Sequence, residues 1–327
     1  MILQKEEPME IKKNMFTYAC KKLTILFFSF FLIATLTFFL MHAIPGDPFS
    51  QEKAIPEEIL QAMQKHYGLD KPLVIQYFDY MQGLFQFDLG PSFKYQGRTV
   101  NEIIREGFPV SLCLGLEALF LSLFLGILFG SLSAYKQGTW QDRITMILVV
   151  LGLSIPSFLL ATFLQYLLAM KLDLFPVARW GSFHQSVLPA LSLAALPTAF
   201  IARLLRSSMI EVLHQDYIQT ARSKGLSPFC ILYKHVLRNA LLPVASYLGP
   251  LTAAILTGSF AVEKVFGIPG LGQWFVLSIT NRDYTVIMGT TLFYSVILLA
   301  CVFLIDLLYC WIDPRIKISL KKGGSLS

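Results

Sequence analysis

Long apolar stretches separated by shorter polar ones set the pattern of this chain. A helix needs about 20 mostly apolar residues to cross the hydrocarbon core of a bilayer. Six stretches are long enough to qualify, and they cover residues 23–41, 110–135, 144–170, 183–202, 239–262 and 284–305. Formal charge is nearly absent from them, since only Glu117 lies inside one. The pattern therefore predicts an all-α membrane protein with six transmembrane helices.

The composition supports this prediction and also indicates an orientation. Hydrophobic residues make up 55% of the chain and charged residues 15%, whereas about a quarter of the residues in a soluble domain are charged. If the N-terminus is cytoplasmic, 17 of the 27 Lys and Arg residues fall in the inside segments, which are 1–22, 136–143, 203–238 and 306–327. The positive-inside rule then predicts that both termini are cytoplasmic. Membrane topology accounts for the net charge of +6, so a nucleic-acid partner is not needed to explain that charge.

Residues 42–109, between the first two predicted spans, form the one sizeable region assigned to the outside. Pro56 and Pro72 suit helix starts, which predicts helices at 57–67 and 72–86. The second of these is rich in apolar and aromatic residues, so it packs on the protein or lies along the membrane surface. Two roles stay open for this small helical extracytoplasmic region: a cap without a ligand role, or a cap that also serves as a docking surface.

The predicted outside segment 262–284 is more apolar than a solvated loop should be. Pro269 and Gly270 give a strong turn signal, and Leu271 and Trp274 follow it. Irregular backbone at membrane depth is tolerated only where protein covers it. This segment is therefore predicted to form a re-entrant or surface helix.

The segment 211–243 is the one long polar, basic stretch between two very apolar ones. Residues 211–224 lack Gly and Pro and place apolar residues on one helix face, and Gly225 then ends that helix. Ser227 can cap a second helix, for which Pro228 suits the first position. Two amphipathic helices bent around a glycine would suit docking into a groove of a partner. The alternative is a cytoplasmic loop that is basic only because of membrane topology.

Several runs of residues resemble one known family. The run QTARSKG (219–225), followed by His235 and Pro243, resembles the coupling loop of ABC importer permeases, although Gln219 and Thr220 stand where that family has Glu and Ala. Further runs are similar to the B-type membrane subunit of dipeptide and oligopeptide importers, namely PGDP (45–48), YGLDKPLVIQYFDYMQGLFQFDLGPSF (67–93), RTVNEII (98–104), FGIPGLG, NRDYTVIMG and LIDLLYCWIDPRIK (304–317). The resemblance extends from residue 45 to residue 317.

The resemblance implies the type I ABC importer permease architecture, with the transmembrane domain over residues 107–311. It implies an ATP-driven, binding-protein-dependent importer in a bacterial inner membrane, in which this chain forms half of a translocation pathway for peptides. The implied partners are a second homologous permease subunit, commonly in a heterodimer, two cytoplasmic ATPases and an extracytoplasmic solute-binding protein. Other cargoes of similar proteins, such as nickel chelates or glutathione, stay open. The chain has no GxxxxGK[ST] motif, so ATP is expected to be used by the partners and no cofactor is expected to bind here.

The resemblance also implies which residues contact the ATPase. They are Asp216, Tyr217, Gln219, Thr220, Ala221, Arg222, Lys224, Gly225, Leu226, His235, Arg238 and Pro243.

Two further residues are candidates for the translocation pathway. Glu117 is the one acid well inside a predicted span, and an intramembrane carboxylate is by default a functional candidate. Its place near the outer end of its helix equally suits a partnered group. Pro156 is predicted to kink the third span, although prolines are also common in membrane helices.

Two other classes of function have weaker support. A stand-alone secondary transporter usually shows inward-facing ionisable residues and an inverted repeat, and neither is evident beyond Glu117. An intramembrane enzyme is disfavoured because the chain has no GxSxG, no HExxH and no paired intramembrane aspartates. The five cysteines show no metal-ligand spacing, so no catalytic or metal site is predicted.

Overall fold

A computed structural model describes residues 8–44 and 57–312. Within these residues every regular element is a helix, and the one β-type contact is an isolated antiparallel bridge between Pro91 and Thr99. The helical fold class is therefore as predicted. The PGDP motif (45–48) and residues 1–7 and 313–327 of the predicted cytoplasmic tails lie outside the described residues.

Thirteen helices follow one another in the described part of the chain. They are α1 (Pro8–Ala43), α2 (Glu57–His66), α3 (Leu73–Phe85), α4 (Val100–Tyr135), α5 (Trp140–Ser154), α6 (Ser157–Leu164), α7 (Phe183–Leu213), α8 (Asp216–Ser223), α9 (Pro228–Cys230), α10 (Arg238–Leu256), α11 (Phe260–Phe266), α12 (Leu271–Asn281) and α13 (Tyr284–Ile312). Two π-helical segments extend this set: Gln165–Lys171 continues α6, and Ile231–Leu237 joins α9 to α10.

By length and composition, five helices in the described residues can cross a membrane. They are Cys20–Ala43, Val100–Tyr135, Phe183–Leu213, Pro228–Leu256 and Tyr284–Ile305. A bent pair, Trp140–Ser154 with Ser157–Lys171, becomes the sixth if it counts as one span. The predicted six spans match this count only when the bent pair is included.

The third predicted span, 144–170, differs from the expected kinked helix. Helices α5 and α6 meet at a bend of 108°. Ile155 is extended, with φ −90° and ψ 119°, as expected for a residue whose α conformation is disfavoured by a following proline. Pro156 then caps α6 and supplies no N–H to continue α5. The proline therefore ends one helix and begins another, so the expected break is in the right place but much sharper.

Several other predicted boundaries shift because helices continue into the polar segments. Helix α4 begins at Val100 rather than 110, where a capping box forms: the Thr99 hydroxyl accepts from the Glu102 N–H, and the Glu102 carboxylate accepts from the Thr99 N–H. Helix α7 extends to Leu213 rather than 202. The fifth predicted span, 239–262, is divided after α10, where Gly258 has a φ of +84°.

The predicted helices at 57–67 and 72–86 are present as α2 and α3. Helix α3 packs its aromatic side against α1, and the rings of Tyr77 and Tyr80 lie 5.4 and 5.5 Å from the ring of Phe38. The hydroxyls of Thr35 and Tyr77 are 2.9 Å apart. Helix α3 therefore packs on the protein through one side, whereas Val74, Phe78 and Phe85 on it are exposed, and the prediction that it lies along the membrane surface stays open.

Helices α4 and α7 form the centre of the bundle. Small residues on α4 permit their close approach, as at Gly130, where an added Cβ would lie 2.8 Å from the carbonyl oxygen of Ala202. Close backbone approach through small residues is typical of membrane helices. Because α7 leads directly towards α8, this packing connects the centre of the bundle to the predicted coupling segment.

Candidate functional site

The predicted coupling segment is a short helix held on a buried anchor. In α8, Ile218 and Ala221 are buried in a cluster that includes Ile231 and Val236. The Tyr217 hydroxyl accepts a hydrogen bond of 2.8 Å from the Asn239 side-chain amide. Helix α8 is therefore tied to the π-helical segment Ile231–Leu237 by apolar packing and to the start of α10 by a polar contact.

The expected helix over 211–224 is broken at His214 and Gln215. His214 ends α7, and Gln215 is extended, with ψ 146°. The break turns α8 away from the axis of α7, and in this position Ile218 is fully buried. Burial of the apolar side of α8 therefore outweighs the local preference for one continuous helix.

Gly225 reverses the chain after α8, as predicted. Its φ is +75°, a conformation that residues with a Cβ rarely adopt. The Gly225 N–H donates to the Arg222 carbonyl at 2.9 Å, and the Leu226 N–H donates to the Ala221 carbonyl at 3.3 Å. This pair of bonds is the Schellman motif, which satisfies carbonyls at the end of a helix.

The second helix begins as predicted. The Ser227 hydroxyl accepts from the Cys230 N–H at 3.3 Å, and Pro228 occupies the first turn. Ile231 and Val236 are buried and His235 is half-buried, so the predicted apolar face is confirmed. Pro243 lies inside α10, as expected for a residue early in the fifth predicted span.

We call the exposed side of this segment the α8 surface. The predicted coupling residues on it are Asp216, Tyr217, Gln219, Thr220, Arg222, Lys224, Gly225, Leu226 and Arg238, all of which are exposed, whereas Ala221 is buried and Pro243 is half-buried. Two aromatic residues that the sequence analysis missed belong to the same surface, because Phe229 is 77% exposed and Tyr233 is 65% exposed. Their spacing of four residues within one predicted helix was the signal for a shared face.

An ion pair between buried Asp142 and half-buried Arg206 connects α7 to the α4–α5 turn. The Arg206 guanidinium donates to both carboxylate oxygens of Asp142, at 2.8 and 2.9 Å. The Ser133 hydroxyl and the Gly138 N–H donate to the same carboxylate. Arg206 lies about two turns before the end of α7, so the pair ties the part of α7 that precedes α8 to this turn.

Glu117 and Pro156 do not form a common site with the α8 surface. Glu117 is half-buried on α4, its Oε1 is 3.9 Å from the Cys113 sulfur, and its Oε2 is buried and has no hydrogen-bond partner among the described residues. Pro156 is exposed at the bend between α5 and α6. The pathway role of both residues stays a prediction.

Glu263 is a buried acid that sequence reasoning missed. Its side chain is 0% exposed, and its carboxylate accepts from the Ser111 hydroxyl at 2.8 Å and from the Gln273 N–H at 3.0 Å. Burial raises the pKa of the Glu263 carboxyl, and these hydrogen bonds oppose the increase. The carboxylate joins α4, α11 and the start of α12, so it holds the segment that was predicted to be re-entrant. Because Glu263 follows directly after a predicted span, the sequence alone gave no sign that its carboxylate is buried.

The geometry defines a polytopic helical membrane protein in which the short helix α8 is anchored on the bundle by its buried side. The comparisons with known proteins agree: residues 126–318 match the family described as binding-protein-dependent transport system inner membrane component, and residues 15–115 match its N-terminal model. The chain belongs to this family. It is therefore a multi-pass permease component of a transport system and not an enzyme.

Characterised relatives are similar over nearly their whole length. The dipeptide transport system permease protein DppB of Bacillus subtilis is 50% identical over 306 residues, which cover 94% of this chain and 99% of that protein. The oligopeptide transport system permease protein OppB of Haemophilus influenzae is 43% identical over 289 residues, which cover 88% of this chain and 94% of that protein. A solved structure of inward-facing conformations of the MetNI methionine ABC transporter has a chain with a TM-score of 0.51 at 20% identity. The matched region covers 64% of the present chain and 96% of the transporter chain, and this similarity supports the fold alone.

Proposed function

We propose that this chain is the permease subunit of an ATP-driven, binding-protein-dependent importer of dipeptides or oligopeptides. Full-length similarity to permeases named for dipeptide and oligopeptide transport is the observation that carries the proposal. The chain forms half of the translocation pathway in a bacterial inner membrane, and both termini face the cytoplasm because Lys and Arg are concentrated in the inside segments. Nickel chelates and glutathione become secondary candidates for the cargo.

The partners follow from the same proposal. A second homologous permease completes the pathway, in a heterodimer, and a solute-binding protein delivers peptide from outside. Two cytoplasmic ATPases use ATP, and one of them binds the α8 surface, which carries the exposed aromatic rings of Phe229 and Tyr233 and the exposed basic residues Arg222 and Lys224. Aromatic anchors surrounded by basic residues suit a groove on a partner protein.

Movement of the α8 surface is the proposed means of coupling. Helix α8 is fastened to the π-helical segment Ile231–Leu237 through buried Ile218, and to α10 through the bond between Tyr217 and Asn239. It is connected in sequence to α7, which the Asp142–Arg206 pair ties to the α4–α5 turn. Closure of the ATPases on ATP would then shift packed helices together, as in two-state transporters in which nucleotide binding biases access to the substrate.

Co-purification of the chain from its native membrane tests the proposal. We expect two ATPases, a second permease and a peptide-binding protein to be recovered with it, and we expect ATP hydrolysis by the complex to be stimulated by the loaded binding protein. Recovery of the chain alone from mild detergent, with ATP-independent substrate uptake, would contradict the proposal. If a complex is recovered whose binding protein binds nickel chelates or glutathione, the permease role stands and the peptide cargo is wrong.

Glu117→Gln is expected to leave most peptide transport intact. The carboxylate has no charged partner within ion-pair distance among the described residues, and the amide preserves its size. Uptake of labelled dipeptide into cells that express equal amounts of inserted protein is the measurement, and at least half of wild-type uptake is expected. Complete loss of uptake would instead assign Glu117 to a proton or cation path.

A further inference from the structure

An apolar groove opens between α1, α3, α4 and α13. Its volume is about 570 Å³, within the range of about 300–1,000 Å³ that is typical of sites for small molecules. Phenylalanines dominate its walls, among them Phe27 and Phe31 of α1 and Phe85 of α3. In the described part of the chain, Asn101 and Arg105 of α4 are the only polar residues that line it.

The two polar residues have different roles. The Asn101 side chain holds the neighbouring turn, because its oxygen accepts from the Leu89 N–H at 2.9 Å and its amide donates to the Phe87 carbonyl at 2.6 Å. Arg105 is exposed and has no ion pair or hydrogen bond with another described residue. The groove therefore presents one uncommitted cation beside an apolar cavity.

The turn at the rim is held in a strained conformation. Phe87 has a φ of +57°, which is uncommon for a bulky residue and costs on the order of 1–3 kcal/mol. The bonds from Asn101 stabilise this turn. As a result the Phe87 ring is 85% exposed at the edge of the groove. An exposed ring of this kind suits contact with hydrocarbon and is unfavourable in water.

The length of α4 places Arg105 near the level of lipid headgroups. At 1.5 Å per residue, the helix rises about 45 Å between Arg105 and Tyr135 at its other end. A bilayer with its headgroup regions is about 40–45 Å thick. When Tyr135 lies at one interface, Arg105 lies at the opposite one, and the groove walls from α1 and α13, which include Phe27 and Val296, belong to helices that can cross the membrane.

We propose that this groove binds an anionic phospholipid, with the lipid phosphate on Arg105 and one acyl chain in the cavity. A guanidinium matches a phosphate in charge and geometry, and the acyl chain matches the phenylalanine walls. An apolar helix of a second permease subunit would pack against the phenylalanine walls. It would also place the Arg105 charge against apolar residues, which is unfavourable. The site goes beyond the proposed function, because it requires neither cargo nor ATP.

Native mass spectrometry of the complete purified complex tests the site. The complex is delipidated in detergent and titrated with phosphatidylglycerol or with phosphatidylcholine. We expect one phosphatidylglycerol to be retained per chain, with affinity about tenfold weaker in Arg105→Gln because a charge-assisted hydrogen bond is lost. Arg105→Lys keeps the charge but not the planar guanidinium, so it should lose less affinity than Arg105→Gln, and phosphatidylcholine should bind more weakly than phosphatidylglycerol to the wild type.

Two further variants make the result specific. Arg98→Gln removes an exposed arginine that pairs with Glu106 and does not line the groove, so it should leave lipid affinity unchanged. Leu84→Trp fills the groove and should reduce the retention of phosphatidylglycerol at least fivefold while Arg105 is intact. The proposal is overturned if Arg105→Gln binds phosphatidylglycerol as tightly as wild type, if Leu84→Trp has no effect, or if a partner helix cross-links into the groove. Because lipid retention is the readout, failure of peptide transport would leave this result unaffected.

Discussion

Gly225→Val is expected to reduce peptide uptake at least tenfold while the chain still inserts and the partner ATPases still hydrolyse ATP. Gly225 has a φ of +75° at the Schellman turn after α8. The left-handed conformation costs an L-residue roughly 1–2 kcal/mol, and a β-branched side chain is especially unfavourable there. Relaxation of the turn would redirect α8 relative to α10, so closure of the ATPases would no longer move the spans.

The measurement is the ratio of peptide imported to ATP hydrolysed by the reconstituted complex. Gly97→Val is the matched control, since Gly97 has a φ of +76° and, like Gly225, no atom within 4 Å of an added Cβ. It precedes α4, far along the chain from the α8 surface. The control should keep a normal ratio. Normal uptake by Gly225→Val would remove the coupling role from this turn.

Glu263→Ala is expected to destabilise the permease by about 3 kcal/mol. The fully buried carboxylate accepts from Ser111 and Gln273, and its removal would leave the Gln273 N–H without its acceptor. It would also leave a cavity beside Gly270 and Gly272, whose backbones pack closely around the carboxylate. We expect the segment between α10 and α12 to loosen first, because this side chain connects it to α4.

Thermal unfolding of the purified complex, together with limited proteolysis of the segment between α10 and α12, measures the effect. Glu263→Gln should lose less stability, because its amide oxygen still accepts one of the two hydrogen bonds. Glu106→Ala is the matched control, because Glu106 forms an exposed ion pair with Arg98, and such pairs contribute about 1 kcal/mol or less. Equal stability of Glu263→Ala and Glu106→Ala would refute the structural role given to Glu263.

Local sequence signals predicted the local structures well. Helices α2 and α3 begin close to the positions that Pro56 and Pro72 indicated, and the turn at Gly225 and the cap at Ser227 form as the residue types require. Each of these features depends on neighbouring residues and on backbone conformations that few residues adopt. The spans were recognisable because the hydrocarbon core imposes a minimum length.

Features that depend on distant contacts were not predictable in the same way. The break at His214 and Gln215 is favoured by burial of Ile218 in the core, which overrides an uninterrupted helical pattern. Glu263 meets Ser111 across 152 positions of the chain. Periodicity within one segment carries no information about such a partner, so a buried acid just beyond a span was indistinguishable from a solvated one.

The sequence also underestimated the effect of Pro156. A proline inside an apolar stretch predicts a kink, but the 108° bend between α5 and α6 also depends on contacts outside the stretch. The Gln165 side-chain amide donates to the carbonyls of Val177 and Val265, at 2.7 and 3.0 Å. These bonds connect the end of α6 to α11. The second half of the bent span is therefore held in place by segments that follow it in the chain.

Uptake of a labelled dipeptide into proteoliposomes is the most direct test of the central claim that this chain is a gate driven by separate ATPases. Vesicles that contain the purified chain alone should show no uptake above protein-free vesicles, with or without a proton gradient. Vesicles that contain the second permease, the two ATPases, the binding protein and ATP should accumulate the dipeptide. Accumulation by the chain alone, without a nucleotide-hydrolysing partner, would contradict the account.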